Sequence, residues 1–546
     1  MGNGTDAIAL PGGVMTGRTT RTTLRRLVVG TASVALLVAA PGSAPAQAST
    51  GGLLGDLLGG VVSLVGTTVN SMLGPTGWMY DDTATPVAEV ASVIGADKLY
   101  ARGITGRGVG VALVDTGTVQ VKGLGSNIVN GPDLSFEGQY DASRYLDTFG
   151  HGTHMAGIIA GNEPATLLGP APFRGIAPGA RLTNLKVASS DGAVDVSQVI
   201  AAIDWVVVHR NDDTTNPIRV LNLSYGTDGT QSYLTDPLTH AVENAWRAGI
   251  VVVVAGGNSG TAAPRLNNPA YDPYVLAVGA SDTRGTLSAS DDLVPDFSSR
   301  GDAARRVDLV APGRSIVSLR DPGSYIDVAY PSARVGTRFF KGSGSSQAAA
   351  VTTGAVALLL QSRPDLTPDQ VKDVLRGSAM AMPNADSAGR GTGELNVLAA
   401  SLRAKTLTKQ AWPRSTGLGS LELSRGTQHV ADAGVDLTGE RDILGPFDAA
   451  KWAPASAAFA GWTGGQWAGN DWTGNCWCAT SWAGRAWAGR AWAGDSWAGR
   501  AWAGRAWAGR AWASGSWSGT TWAGRAWAGS GWTGRAWAGA DWGSRE

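Results

Sequence analysis

Between Val87 and about Leu402, short apolar runs alternate with longer stretches of helical spacing, and no other feature restricts the fold of this chain so tightly. Val109–Val114, Val220–Leu223 and Val251–Ala255 are nearly continuous in apolar residues. Such runs predict strands buried on both faces, the environment of a parallel sheet. Val196–His209, Thr235–Ala248 and Ser346–Ser362 have the length and spacing of helices. The alternation predicts an α/β fold, a mainly parallel sheet flanked by helices. A content of 43% apolar and 16% charged residues supports a packed core rather than bulk disorder. In open sheets of this class ligands bind beyond the carboxyl ends of the strands. Reactive side chains near those ends are therefore the first candidates for chemistry.

Three segments meet that condition. Val111-Ala-Leu-Val-Asp-Thr-Gly117 delivers Asp115 at the end of an apolar run. Gly150-His-Gly-Thr-His-Met-Ala-Gly157 puts His151 at a glycine-lined helix start, and Gly344-Ser-Ser-Gln-Ala348 puts Ser346 near the beginning of another helix. A serine hydroxyl is a poor nucleophile at neutral pH and needs a histidine base. The histidine needs a buried carboxylate to fix its tautomer and to stabilise the imidazolium. A helix N-terminus supplies backbone N–H groups where negative charge develops. Each motif alone is weak. Asp-Thr-Gly is common turn chemistry, and an aspartic protease would need two carboxylates sharing a proton. His151 and His154 have no carboxylate in a His-Glu-x-x-His arrangement, so no metal site is expected there.

Taken together and in the order Asp, His, Ser, these motifs resemble those of the subtilisin-like serine proteases, over about residues 88–402. The resemblance implies Asp115 as the orienting carboxylate, His151 as general base and Ser346 as nucleophile. Ala255-Gly-Gly-Asn-Ser-Gly260 resembles the family's oxyanion loop, which makes Asn258 the side-chain donor. Asn222-Leu-Ser-Tyr-Gly226 resembles the segment that pairs with substrate backbone, so Ser224, Tyr225 and Gly226 are expected to line the cleft. The small Gly256 and Gly257 suggest a roomy pocket beside them. Arg390-Gly-Thr-Gly-Glu-Leu-Asn396 resembles the turn closing the family domain. The implied activity is a serine endopeptidase acting on peptides or proteins through an acyl-enzyme. Two departures stand out. Gly344-Ser-Ser-Gln-Ala-Ala-Ala350 replaces the usual Gly-Thr-Ser-Met-Ala-x-Pro, which deletes no catalytic group. The stretch 49–86 is too short for a folded pro-domain. Calcium is common in the family, but no ligand loop matches residue by residue.

Residues 1–48 have the texture of an export signal. Arg18, Arg21, Arg25 and Arg26 precede the apolar Leu27–Ala40, and Ala46-Gln47-Ala48 offers a peptidase site. Residues 49–86 are expected as a short pro-segment or spacer, 87–404 as the peptidase domain, 405–451 as a linker or small add-on, and 452–546 as repeats. The expected localisation is secreted, with cell-surface association through the repeats and no transmembrane anchor. Lys and Arg number 44 against 44 Asp and Glu, so no strongly basic domain argues for nucleic-acid binding. Cys476 and Cys478 are too close for an unstrained bridge and have no histidine nearby for zinc.

From Trp462 to Trp542 tryptophan recurs every fifth residue, 17 times. Five residues on an α-helix turn 500°, scattering the rings, and glycine in each unit opposes helix. On a flat strand an odd period would send successive rings to opposite faces. The expectation is either a β-solenoid with a glycine at each corner or a dynamic low-complexity tail. Trp interleaved with Arg can stack on sugar rings or protein surfaces, which suggests polysaccharide, cell-wall or protein contact. The rival functional reading is a cell-surface binding or adhesion protein whose protease-like domain is inert.

Overall fold

Seven strands line up as one sheet. They are β1 (Gly110–Asp115), β2 (Ile128–Asp133), β3 (Arg181–Lys186), β4 (Ile218–Leu223), β5 (Val251–Ala255), β6 (Leu276–Ser281) and β7 (Leu309–Pro312). The strand order is β2-β3-β1-β4-β5-β6-β7 and every neighbouring pair is parallel. Every residue of β1, β5, β6 and β7 is buried, as the continuous apolar runs require. These details come from a computed structural model that describes residues 84–139, 143–165, 171–406, 409–432, 435–442 and 445–471. The leader, the stretch before residue 84, both cysteines and the pentads beyond 471 lie outside the described residues. Among the described residues no helix is long and apolar enough to cross a membrane.

Helices flank the sheet. α1 (His151–Ala160) is buried along its whole length. α2 (Val196–His209) starts at a capping box, where Asp195 and Gln198 each satisfy the other's backbone N–H. α3 (Pro237–Arg247) is capped by Asp236 and has proline in its first turn. α4 (Ser345–Ser362) is buried from Ser345 to Leu360 and packs against α1 and strands β4 to β7. Its small residues permit that closeness. A Cβ on Gly354 would lie 2.6 Å from Ile176 Cβ. α5 (Pro368–Gly377) carries a second capping box, Thr367 with Gln370. The segment 390–396 attaches to β7, with Val310 donating to Gly393 and Leu395 donating to Val310.

β2 and β3 lie on one side of β1, and β4 to β7 on the other. The winding reverses between β1 and β4, which places a crevice at their carboxyl ends. Asp115 ends β1, and Ser224 follows β4 directly.

Beyond residue 406 the chain folds back onto α2 and α3. α6 (Leu421–Arg425) buries Arg425 against Asp195 at 2.6 Å, with both side chains fully inaccessible. α7 (Ala449–Ala457) brings Trp452 and Ser456 to the buried Asp204 on α2. That carboxylate accepts from the Trp452 indole at 2.7 Å, the Trp467 indole at 2.9 Å and the Ser456 hydroxyl at 2.6 Å. The first pentads form an antiparallel meander of Trp462–Thr463, Gln466–Trp467 and Asn470–Asp471. Gly464, Gly465, Ala468 and Gly469 all have positive φ, as two-residue hairpin turns require. With a turn between them, Trp462 and Trp467 sit directly opposite each other instead of alternating faces.

Candidate active site

The β1 run ends where its side chains become polar. Asp115 is 4% exposed, and its Oδ1 accepts from the Thr116 backbone at 2.8 Å and from His151 Nδ1 at 2.7 Å. A carboxylate acceptor fixes the histidine tautomer with the proton on Nδ1, which makes Nε2 the basic nitrogen. Two glycines make the approach possible. A Cβ on Gly152 would fall 2.1 Å from the Gly117 carbonyl oxygen, and Gly117 itself has φ of 110°. Any side chain at Gly152 would drive the start of α1 away from the end of β1.

Burial works against a charged His151. The charge and hydrogen bond of Asp115, with the charge of Asp147, outweigh it and raise the imidazole above its ordinary range. His154, one turn along α1, is fully buried; that burial and the His151 charge push it down to about 3. It is a neutral neighbour packed in the core.

Ser346 sits in the first turn of α4. Its Oγ donates to the Ser224 carbonyl at 3.5 Å, and Ser224 Oγ donates to the Ser346 carbonyl at 3.3 Å. Ser224 Oγ also accepts from Asn222 Nδ2 at 2.9 Å, and Asn222 Oδ1 accepts from Thr353 on α4 at 2.9 Å. The end of β4 and the start of α4 are thus stitched together beside Asp115. Asn258 Oδ1 accepts from the Ser345 backbone at 2.7 Å, which turns its Nδ2 away from that bond. Gly344 packs closely against the side chains of Gln347 and Asn258. A Cβ on it would lie 2.8 Å from Gln347 Oε1 and 3.2 Å from Asn258 Nδ2. Gly257 donates to Ser345 Oγ at 3.1 Å, and its φ of 115° favours glycine. The space beside Gly256 and Gly257 is taken by Val307 and Asn267. Tyr225 and Gly226 continue from Ser224, with Tyr225 5% exposed and Gly226 against Asn267.

Sequence reasoning missed the polar layer beneath this site. Lys186 ends β3, is fully buried, and pairs with Glu137 at 2.9 Å while donating to the Thr116 and Leu146 carbonyls. The strand sequence Arg-Leu-Thr-Asn-Leu-Lys offers no local signal for this, because Lys186 meets Asp115 only across the folded sheet. Among the described residues no group of three or more His, Cys, Asp or Glu is arranged to hold a metal.

The chain resembles known proteins over much of its length. The subtilase family model matches residues 106–419. The chain is 37% identical over 320 residues to serine protease AprX of Bacillus subtilis (strain 168), covering 58% of this chain and 70% of that one. It is 31% identical over 317 residues to subtilisin DY of Bacillus licheniformis, covering 57% and 96%. A solved structure of fervidolysin from Fervidobacterium pennivorans aligns with a TM-score of 0.46 at 26% identity, over 58% of this chain and under half (46%) of that one. The chain belongs to the subtilase family and is a serine-type endopeptidase.

Proposed function

We propose that the chain hydrolyses peptide bonds through an acyl-enzyme on Ser346. His151 removes the Ser346 proton as the hydroxyl attacks the scissile carbonyl, then returns it to the leaving amine. Asp115 holds the imidazole and stabilises the imidazolium. Asn258 Nδ2 and the Ser346 backbone N–H receive the oxyanion at the start of α4. The Ser346 hydroxyl turns from the Ser224 carbonyl to His151 Nε2 as the first movement. The observation that carries this reading is the 2.7 Å Asp115–His151 bond, fully buried at the carboxyl end of β1. Ser224, Tyr225 and Gly226 offer backbone to an extended substrate, which adds as a strand beside β4. The test is hydrolysis of a long peptide by purified enzyme beside Ser346→Ala and His151→Ala. Both variants should lose activity to near background; hydrolysis retained by Ser346→Ala would refute the reading.

We further propose export through the 1–48 leader, supported by its basic, apolar and small-residue segments in order. A mature N-terminus at Ser49 in culture medium would support it, and an intact Met1 or Met15 terminus inside cells would not. The Trp repeats then serve attachment to polysaccharide, cell wall or protein. A truncation after Asp471 keeps the docked pentads and should lose surface association while retaining peptidase activity.

A further inference from the structure

We propose that Asp147 is a positioning residue for the reaction, a second carboxylate that locks the strand end bearing Asp115 to the helix bearing His151; this rests on the catalytic reading above. Asp147 lies in the loop leading into α1 and is fully buried. Its Oδ1 accepts from Thr116 Oγ1 at 2.6 Å and from the Gly150 backbone at 2.6 Å. Its Oδ2 accepts from the Thr153 backbone at 2.6 Å. Thr116 directly follows Asp115, while Gly150 and Thr153 bracket His151. Thr116 Oγ1 completes the tie by accepting from the Gly152 backbone at 2.8 Å.

The first N–H groups of a helix have no partner within it. Gly150 occupies the cap of α1 and has no side chain to supply one. Asp147 and Thr116 together take the Gly150, Gly152 and Thr153 donors. Only a carboxylate suits this place, because all three groups facing Asp147 donate and an amide would turn an N–H toward one of them. Negative charge at a helix N-terminus is also favourable.

The charge reaches the imidazole. Asp147 and Asp115 both act to raise His151, against burial, and His154 lies on the same helix. Burial raises the Asp147 carboxyl on balance, although its three hydrogen bonds and Lys186 draw it down. Asp321 faces it with like charge, and Glu137 and Asp133 face Lys186. Removing the Asp147 charge therefore makes the His151 imidazolium less stable. A base with a lower pKa stays neutral to lower pH, so the acid limb of activity moves down.

The test is Asp147→Asn, with every rate normalised to sites labelled by a fluorophosphonate probe. The expected result is a kcat lower by on the order of 100-fold with KM little changed, and a kcat/KM acid limb shifted to lower pH. A purely structural role would lower the labelled fraction and leave both readouts per labelled site unmoved; that result overturns the proposal. If Asp147→Asn does not fold, Thr116→Val and Thr116→Ser decide. The valine variant, which lacks the hydroxyl, should lose kcat, and the serine variant should keep it; equal kcat in the two overturns the proposal. Failure of the underlying reading is separable, because wild type would then hydrolyse peptide as Ser346→Ala does.

Discussion

At the scale of single residues, the site depends on groups whose orientation is fixed before substrate arrives. Asn258 is held by the Ser345 backbone at 2.7 Å, so in the proposed mechanism its amide need not reorganise when the oxyanion forms. Asn258→Ala should lower kcat by about 10²–10³, or about 2.7–4 kcal/mol, a magnitude taken from the oxyanion asparagine of subtilisin, a relative. Equal losses in binding and turnover of substrate would instead point to collapse of the loop. The pH dependence follows from His151. Its pKa is raised, and the base must be neutral to act, so activity is lost as pH falls through that raised value. The acid limb of kcat/KM should lie above the ordinary imidazole value of 6.5, and a limb at or below 6.5 would contradict the Asp115 and Asp147 contacts. Asp115, His151, Ser346 and Asn258, the residues proposed to do the chemistry, stand out in the sequence because each sits inside a short local motif. Asp147 does not, because its partners Thr116, Gly150 and Thr153 are assembled from two segments brought together only by folding.

At the scale of elements, the correspondence is close wherever burial dictates sequence. Val251–Ala255 and Val196–His209 emerge with the expected bounds, and Ser346–Ser362 gains one residue at its start. Parallel strands buried on both faces and long helices leave strong patterns. The shorter elements after residue 406 leave none, since α6 and α7 are held by a few buried polar groups such as Arg425, Ser424, Trp452 and Ser456. Arg425 is the clearest case. Its pairing with Asp195 also closes onto the cap of α2, and α6 lies beside the segment proposed to bind substrate, where Thr227 donates to the Ser424 carbonyl and Asp228 accepts from the Thr427 backbone at 2.7 Å. Arg425→Met leaves Asp195 charged and uncompensated in the interior, which should cost about 3–5 kcal/mol. Urea unfolding in a Ser346→Ala background, where self-cleavage is absent, measures it; a loss under 1 kcal/mol would mean the pair is solvated in solution.

At the scale of the whole molecule, the described chain beyond the family domain belongs to the same packed body rather than hanging from it. The family model ends at residue 419, yet Trp452 and Trp467 are almost wholly buried and converge on Asp204. The 405–451 stretch has balanced charge and few apolar runs, so nothing in its pattern announced this docking. Asp204→Ala would orphan two indole donors and a hydroxyl, at about 1–3 kcal/mol for each buried group left unsatisfied. In the Ser346→Ala background, limited proteolysis by an added protease should then cut after residue 404 sooner while the 84–402 body resists. Unchanged cleavage there would show that the apolar contacts alone hold the segment. The catalytic consequences presuppose that Ser346 is a working nucleophile. The most direct measurement is labelling of the mature protein with a fluorophosphonate probe, followed by mass mapping of the modified peptide. One adduct on Ser346, absent from Ser346→Ala and strongly reduced in His151→Ala, is the predicted result. A folded wild-type sample that takes no label, or takes it on another residue, would contradict it.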